Sequence, residues 1–126
     1  MVAQLQTWLD QLATVSEADL EARNAVRDQA LQKSRELIRL CSSAIRSGHR
    51  EAWEQAHALL AEADAVGKDM QVMLAPYPDL FYAGYTQDAL KELVEARITL
   101  ALISDGPLPT IKDVTVPYNT YLNLSL

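Results

Sequence analysis

Apolar residues recur along most of this chain at intervals of three and four, the period of an amphipathic helix. Leu5, Trp8, Leu9 and Leu12 predict a short helix over residues 2–14. Ser16 and Asp19 are spaced as in a capping box, in which hydroxyl and carboxylate each satisfy a free backbone amide, so a second helix is expected to begin there. Leu20, Val26, Leu31, Leu37, Ile38, Cys41 and Ile45 carry it to about Ser47, and Gly48 is the expected stop. A third helix is expected from about Glu51 to Leu74, with Trp53, Ala56, Leu60, Ala63, Gly67, Met70 and Met73 as its buried stripe. Pro76 and Pro78 end it. Pro78 also suits the first position of a fourth helix, with Asp79 at the positive end of the helix dipole.

Leu90, Val94, Ile98, Ala101 and Leu102 are the expected core stripe of the fourth helix, which Ser104-Asp105-Gly106-Pro107 closes. Gly84 falls inside this pattern, where it either costs about 1 kcal/mol against alanine or marks a break. Beyond it, residues 108–113 fit one short helical turn and residues 121–126 the first turns of another helix. There is no strand alternation, internal repeat or low-complexity tract. The expected class is all-α, a bundle of long antiparallel helices forming a single domain over residues 1–126.

Composition narrows the setting. No apolar run reaches the length that spans a membrane, and residues 1–10 lack the basic and apolar regions of a signal peptide, so a cytosolic location is expected. The single cysteine, Cys41, has apolar neighbours Leu37, Ile38, Leu40 and Ile45. It reads as a small core residue rather than a nucleophile. The net charge of −6 speaks against a generic nucleic-acid coat protein. Its distribution says more: residues 23–50 hold seven basic residues against Asp28 and Glu36, a segment charge of +5, which leaves −11 for the rest. Segregated charge of this kind points to an anionic partner, or to a solvated face paired with acidic helices nearby.

Two groups of side chains carry candidate chemistry. On one helix, Tyr85, Asp88, Glu92 and Glu95 share a face. Acids in such a stripe repel one another unless water solvates them or a cation sits between them. Magnesium is a hard ion that takes oxygen ligands and keeps several waters, so Glu92 and Glu95, with Asp88 one turn earlier, are candidate ligands. The plainer reading is a solvated acidic face with Asp88–Lys91 and Lys91–Glu95 pairs. Arg35, Arg39, Arg46 and Arg50, with His49 beside them, fall near one stripe of the second helix, where arginine forks suit phosphate oxygens. The plainer reading is solubility and ion pairing. Tyr82 and Tyr85 either stack on exposed bases or belong to a core or interface. His57, between two alanines, reads as structural, and two histidines with one cysteine do not make a zinc site.

Several blocks resemble the translin family. They are Arg35-Glu36-Leu37-Ile38-Arg39, Ala44-Ile45-Arg46, His49-Arg50, Tyr82-Ala83-Gly84-Tyr85, Asp88-Ala89-Leu90-Lys91-Glu92, Val116-Pro117 and Tyr121-Leu122-Asn123. The resemblance runs from about Glu21 to Asn123, and its middle blocks are the most specific. It implies a bundle of about seven helices, a hollow homo-oligomer, and binding of single-stranded RNA or DNA. In the Trax-like branch it also implies a magnesium-dependent endoribonuclease with a Glu-x-x-Glu pair, which Glu92 and Glu95 match. Upstream of the pair, residues 81–87 lack the basic and histidine residues of the translin branch, so the chain resembles the Trax-like branch or the undivided prokaryotic members. The family places a further metal-binding aspartate just after the position of Asn123, in a longer helix. Here Leu124-Ser125-Leu126 follow, so the chain is expected to be C-terminally short, without that ligand and without part of the bundle. A shortened bundle must cover its exposed face, which favours at least a dimer. The alternative function is a non-catalytic oligomerisation or interaction protein.

Overall fold

The computed structural model describes residues 1–110, which are all-α with no strand. The turn expected over residues 108–113 is described only as far as residue 110, and residues 108–110 are not helical; residues 111–113, the expected helix at 121–126, and the Val116-Pro117 and Tyr121-Leu122-Asn123 blocks lie outside the described residues. Four helices follow one another: α1 (Val2–His49), α2 (Trp53–Leu74), α3 (Pro78–Phe81) and α4 (Gly84–Ile103).

α1 corrects the first expectation. It is one continuous helix of 48 residues, and Ser16 and Asp19 start nothing. No glycine or proline interrupts residues 2–47, and alanine, leucine, glutamine, glutamate and arginine are good helix formers. Polar side chains that compete for backbone groups elsewhere are absorbed within the helix: the Thr7 and Thr14 hydroxyls donate back to the carbonyls of Ala3 and Asp10, each at 2.9 Å.

Gly48 is not the stop either. It is buried inside the last turn of α1, and a Cβ there would lie 2.4 Å from Leu100 Cδ2 and 3.4 Å from Trp53. Its missing side chain lets the end of α4 approach α1. The left-handed residue of the turn is Glu51, at φ 61°, one of two non-glycine residues with positive φ among the described residues.

α2 runs back along the second half of α1, and α4 runs beside α1 in α1's own direction. Gly48 meets both Leu100 and Trp53 at one end, while Ala30 clusters with Leu74 and Leu80 at the other. Between these ends Leu37, Leu40, Cys41 and Ala44 of α1 pack against Leu60, Ala63 and Met70 of α2 and Leu90, Leu93, Val94 and Ala96 of α4. Alanines at the contacts let the helices come close. Part-buried Arg97 of α4 pairs with Asp64 of α2, its Nε lying 3.3 Å from Oδ1, and ties the two flanking helices together.

Gly84 marks a break, not a costly interior position. α3 ends at Phe81, Ala83 is extended, and α4 begins at Gly84. The Thr86 hydroxyl and the Gln87 amide donate to the carbonyls of Leu80 and Phe81 at 2.9 Å, satisfying the end of α3 from the next helix. The core stripe of α4 holds at Leu90 and Val94, with Ile98 packed against the core, and departs from the expected one at Leu102. Ala89, Leu90, Leu93, Val94, Ala96 and Leu100 are buried, whereas Leu102 is 65 % exposed.

Most of the first half of α1 packs against nothing. Every residue from 1 to 25 is exposed, Leu5, Trp8, Leu9, Leu12 and Leu20 included. Among the described residues no helix is long and apolar enough to cross a membrane.

Candidate nucleic-acid interface and acidic site

α4 positions the acids. Its buried stripe turns Glu92 onto the edge of the α1 contact and leaves Glu95 and Asp88 exposed. Cys41 of α1 registers this placement. Its thiol is pushed up to about 12, first by burial and then by the charges of Glu92 and Glu95. It therefore stays protonated and inert at neutral pH, and it is buried as expected. The Glu92 carboxyl titrates above its ordinary value. Burial is the main cause, followed by the charge of Glu95, hydrogen bonding with Glu95, and the charge of Asp88. Both neighbouring acids thus act on Glu92.

The three acids do not form a complete metal cage. Among the described residues no group of three histidine, cysteine, aspartate or glutamate side chains converges to hold an ion. Glu92 and Glu95 offer two carboxylates, and Asp88 does not complete the set. Nor does Lys91 neutralise the stripe, since among the described residues the ion pairs are Arg23–Asp79, Lys33–Asp69 and Arg97–Asp64. The expected Asp88–Lys91 and Lys91–Glu95 pairs are absent from them.

A raised carboxyl pKa fixes a sign. The folded chain holds the Glu92 proton more tightly than the unfolded chain, so the associated stability is full below the ordinary value of 4.5 and is lost as pH rises through the raised one. Glu92→Gln, which keeps the shape and removes the charge, is expected to melt higher than the parent at pH 7 and to converge with it near pH 4. Thermal unfolding across that range is the check, and a less stable variant at pH 7 would refute the assignment.

The arginines occupy a different face. Arg35, Arg39 and Arg46 are exposed on α1, and by helical register they lie opposite the Leu37–Cys41–Ala44 stripe. His49 and Arg50, also exposed, follow at its end. Among the described residues none of the four arginines is in an ion pair. Arg46 donates to the Ser43 hydroxyl at 3.2 Å and Arg50 to the Ser47 hydroxyl at 3.4 Å. Pairing with acidic neighbours instead occupies Arg23, which also lies 5.6 Å from the Tyr77 ring, and Lys33, 3.9 Å from Asp69. Glu92 and Glu95 sense Cys41, which lies between Arg39 and Arg46, so acids and arginines serve the same stretch of α1 from different sides.

The structure separates the two tyrosines. Tyr82 is exposed beyond α3, with its ring edge-on to Phe81 at 5.0 Å. Tyr85 packs on the Ala30–Leu74–Leu80 cluster, and its hydroxyl is buried with no hydrogen-bond partner. Of the two, only Tyr82 has an exposed ring. His57, expected to be structural, is exposed and lines a pocket of about 480 Å³ with Leu60, Arg97, Leu100 and Pro109. Hydropathy alone could not distinguish these tyrosines, because α3 and its break decide which ring turns inward.

Comparison of the chain with protein-family models, curated proteins and solved structures returns no match.

Proposed function

We propose that this chain binds single-stranded RNA or DNA along the arginine face of α1, as a Trax-like relative of the translin family with Glu92 and Glu95 as the carboxylates of a magnesium-dependent endoribonuclease site. The observation that carries the proposal is the row Arg35, Arg39, Arg46 and Arg50, exposed and free of ion pairs among the described residues. Guanidinium forks suit phosphate oxygens, and such contacts supply most sequence-independent affinity. Exposed Tyr82 adds a stacking surface for a base.

The acidic pair fits two ligand positions of a magnesium ion, whose remaining positions water and phosphate oxygens fill. Bound there, the ion would stabilise charge on the phosphate under attack and supply an activated water. The raised Glu92 pKa comes first from burial and only then from the charges of Glu95 and Asp88, and it is this smaller, second part that a hard cation would relieve. Assembly into a homo-oligomer in the cytoplasm belongs to the same reading.

A second reading, binding or assembly without cleavage, is favoured by the absence of a three-ligand group among the described residues. One assay separates them. Labelled single-stranded RNA is incubated with the chain in magnesium or chelator, beside Glu92→Ala. Cleavage that requires both magnesium and Glu92 supports the nuclease, and binding without cleavage supports the second reading. RNA neither bound nor cut rules out both nucleic-acid roles.

A further inference from the structure

The first half of α1 is an exposed amphipathic arm, and the chemistry of the rest of α1 says what covers it. One row of apolar residues runs the length of the helix: Val2, Leu9, Leu20, Leu31, Ile38 and Ile45. Their spacings of seven and eleven residues turn the helix by about 20° in opposite senses, so the row stays straight. It runs about a quarter turn from the Leu37–Cys41–Ala44 stripe that α2 and α4 cover; Leu9, Leu20 and Ile38 on it are 44 %, 59 % and 37 % exposed, and Ile45 at its end is half-buried beside that core.

The row is self-complementary. Reversed about a point near residue 24, Val2 falls on Ile45, Leu9 on Ile38, and Leu20 within one turn of Leu31. The charges follow the same symmetry. Residues 2–22 hold four acids and no lysine or arginine, whereas residues 23–50 carry +5. We propose that a second copy of this chain covers the arm, with the two α1 helices antiparallel about a two-fold axis near residue 24.

In this arrangement Leu9 packs on the partner's Ile38 and Val2 on the partner's Ile45. Asp10 comes level with the partner's Leu37, two residues from both the partner's Arg35 and the partner's Arg39, and Glu17 lies five residues, about 7.5 Å along the axis, from the partner's Arg35. A parallel pair would set acid against acid and arginine against arginine. The two-fold keeps the α2–α4 layers of both copies on one side, so Leu5, Trp8 and Leu12 turn toward the partner's layer. Each arm becomes a fourth helix on the other copy, which is the isologous contact expected of a two-fold dimer.

The test reads mass and register without nucleic acid, because the pairing and the proposed RNA contacts share Arg35 and Arg39. Light scattering on the full chain is expected to give twice the 14.0 kDa chain mass, and Leu9→Glu with Leu20→Glu to give one chain mass with helicity unchanged. Under mild oxidation, Leu9→Cys with Ile38→Cys is expected to cross-link between copies, while Leu9→Cys alone is not. Cys41 does not interfere, because it is buried. A parent chain that remains monomeric overturns the proposal. So does a dimer that cross-links through Leu9→Cys alone, since that places arm on arm. A larger assembly that retains the 9–38 cross-link supports the pairing. Loss of RNA binding with the dimer intact would count against the nucleic-acid reading alone.

Discussion

Replacing Arg35, Arg39 and Arg46 together with glutamate is expected to weaken single-stranded RNA binding by at least about 100-fold near 0.1 M salt. Each phosphate contact on a single strand releases about 0.7 of a counterion, worth a factor of about five at that ionic strength, and three contacts multiply. Reversing the charge adds repulsion to the loss. The slope of log affinity against log salt should fall by about two, from the same three contacts. The three side chains are exposed and make no ion pair among the described residues, so the helix should survive, and circular dichroism verifies that it does. Arg23→Gln is the control. Arg23 already pairs with Asp79, and its loss is expected to leave RNA affinity nearly unchanged. Fluorescence anisotropy at several salt concentrations measures both quantities, and a triple variant that binds like the parent would show that the arginine face carries no nucleic acid.

The second large effect concerns α4. Leu93 is fully buried between α1 and α2, whereas Leu102, on the same helix and equally apolar, is mostly exposed. Leu93→Ala should cost about 2–5 kcal/mol, the lost transfer energy plus the cavity left in a packed core. Leu102→Ala should stay within about 0.5 kcal/mol of the parent. For a domain stable by about 5–15 kcal/mol, the first change removes a large share of the total. Urea unfolding of the two variants is the check. Similar losses at both positions would mean that α4 is rotated from the orientation described.

These examples show where the sequence was informative. Helix type was legible because residues such as Ala56, Leu60, Ala63, Gly67 and Met70 repeat at intervals of three and four, and all of them are buried in α2. Boundaries were harder. Ser16 and Asp19 have the spacing of a cap, but a cap matters only where backbone amides are free, and the continuous helix leaves none there. Gly48 carries the composition of a helix stop, yet its smallness serves contact with Leu100, a relation between residues 52 positions apart that no local pattern displays.

In α4, Leu90 and Val94 are buried as their spacing implies, but Leu102 is as apolar as Leu93, and only packing against α1 buries Leu93 and leaves Leu102 exposed. At the candidate site, the glutamate pair and the arginine row were readable as spacings. The freedom of Arg35, Arg39 and Arg46 from ion pairs was not, since it depends on where Asp64, Asp69 and Asp79 fall after folding. The exposed arm was read as a separate short helix, so its bare apolar row emerged only when residues 2–49 proved to be one rod.

The most direct test of the central claim is the binding of a fluorescent single-stranded RNA to the parent chain in chelator, where cleavage cannot intervene, titrated at low and moderate salt. The account predicts saturable binding whose affinity falls steeply as salt rises, lost in the Arg35/Arg39/Arg46 glutamate variant. A folded parent chain that gives no anisotropy change at low salt would contradict it.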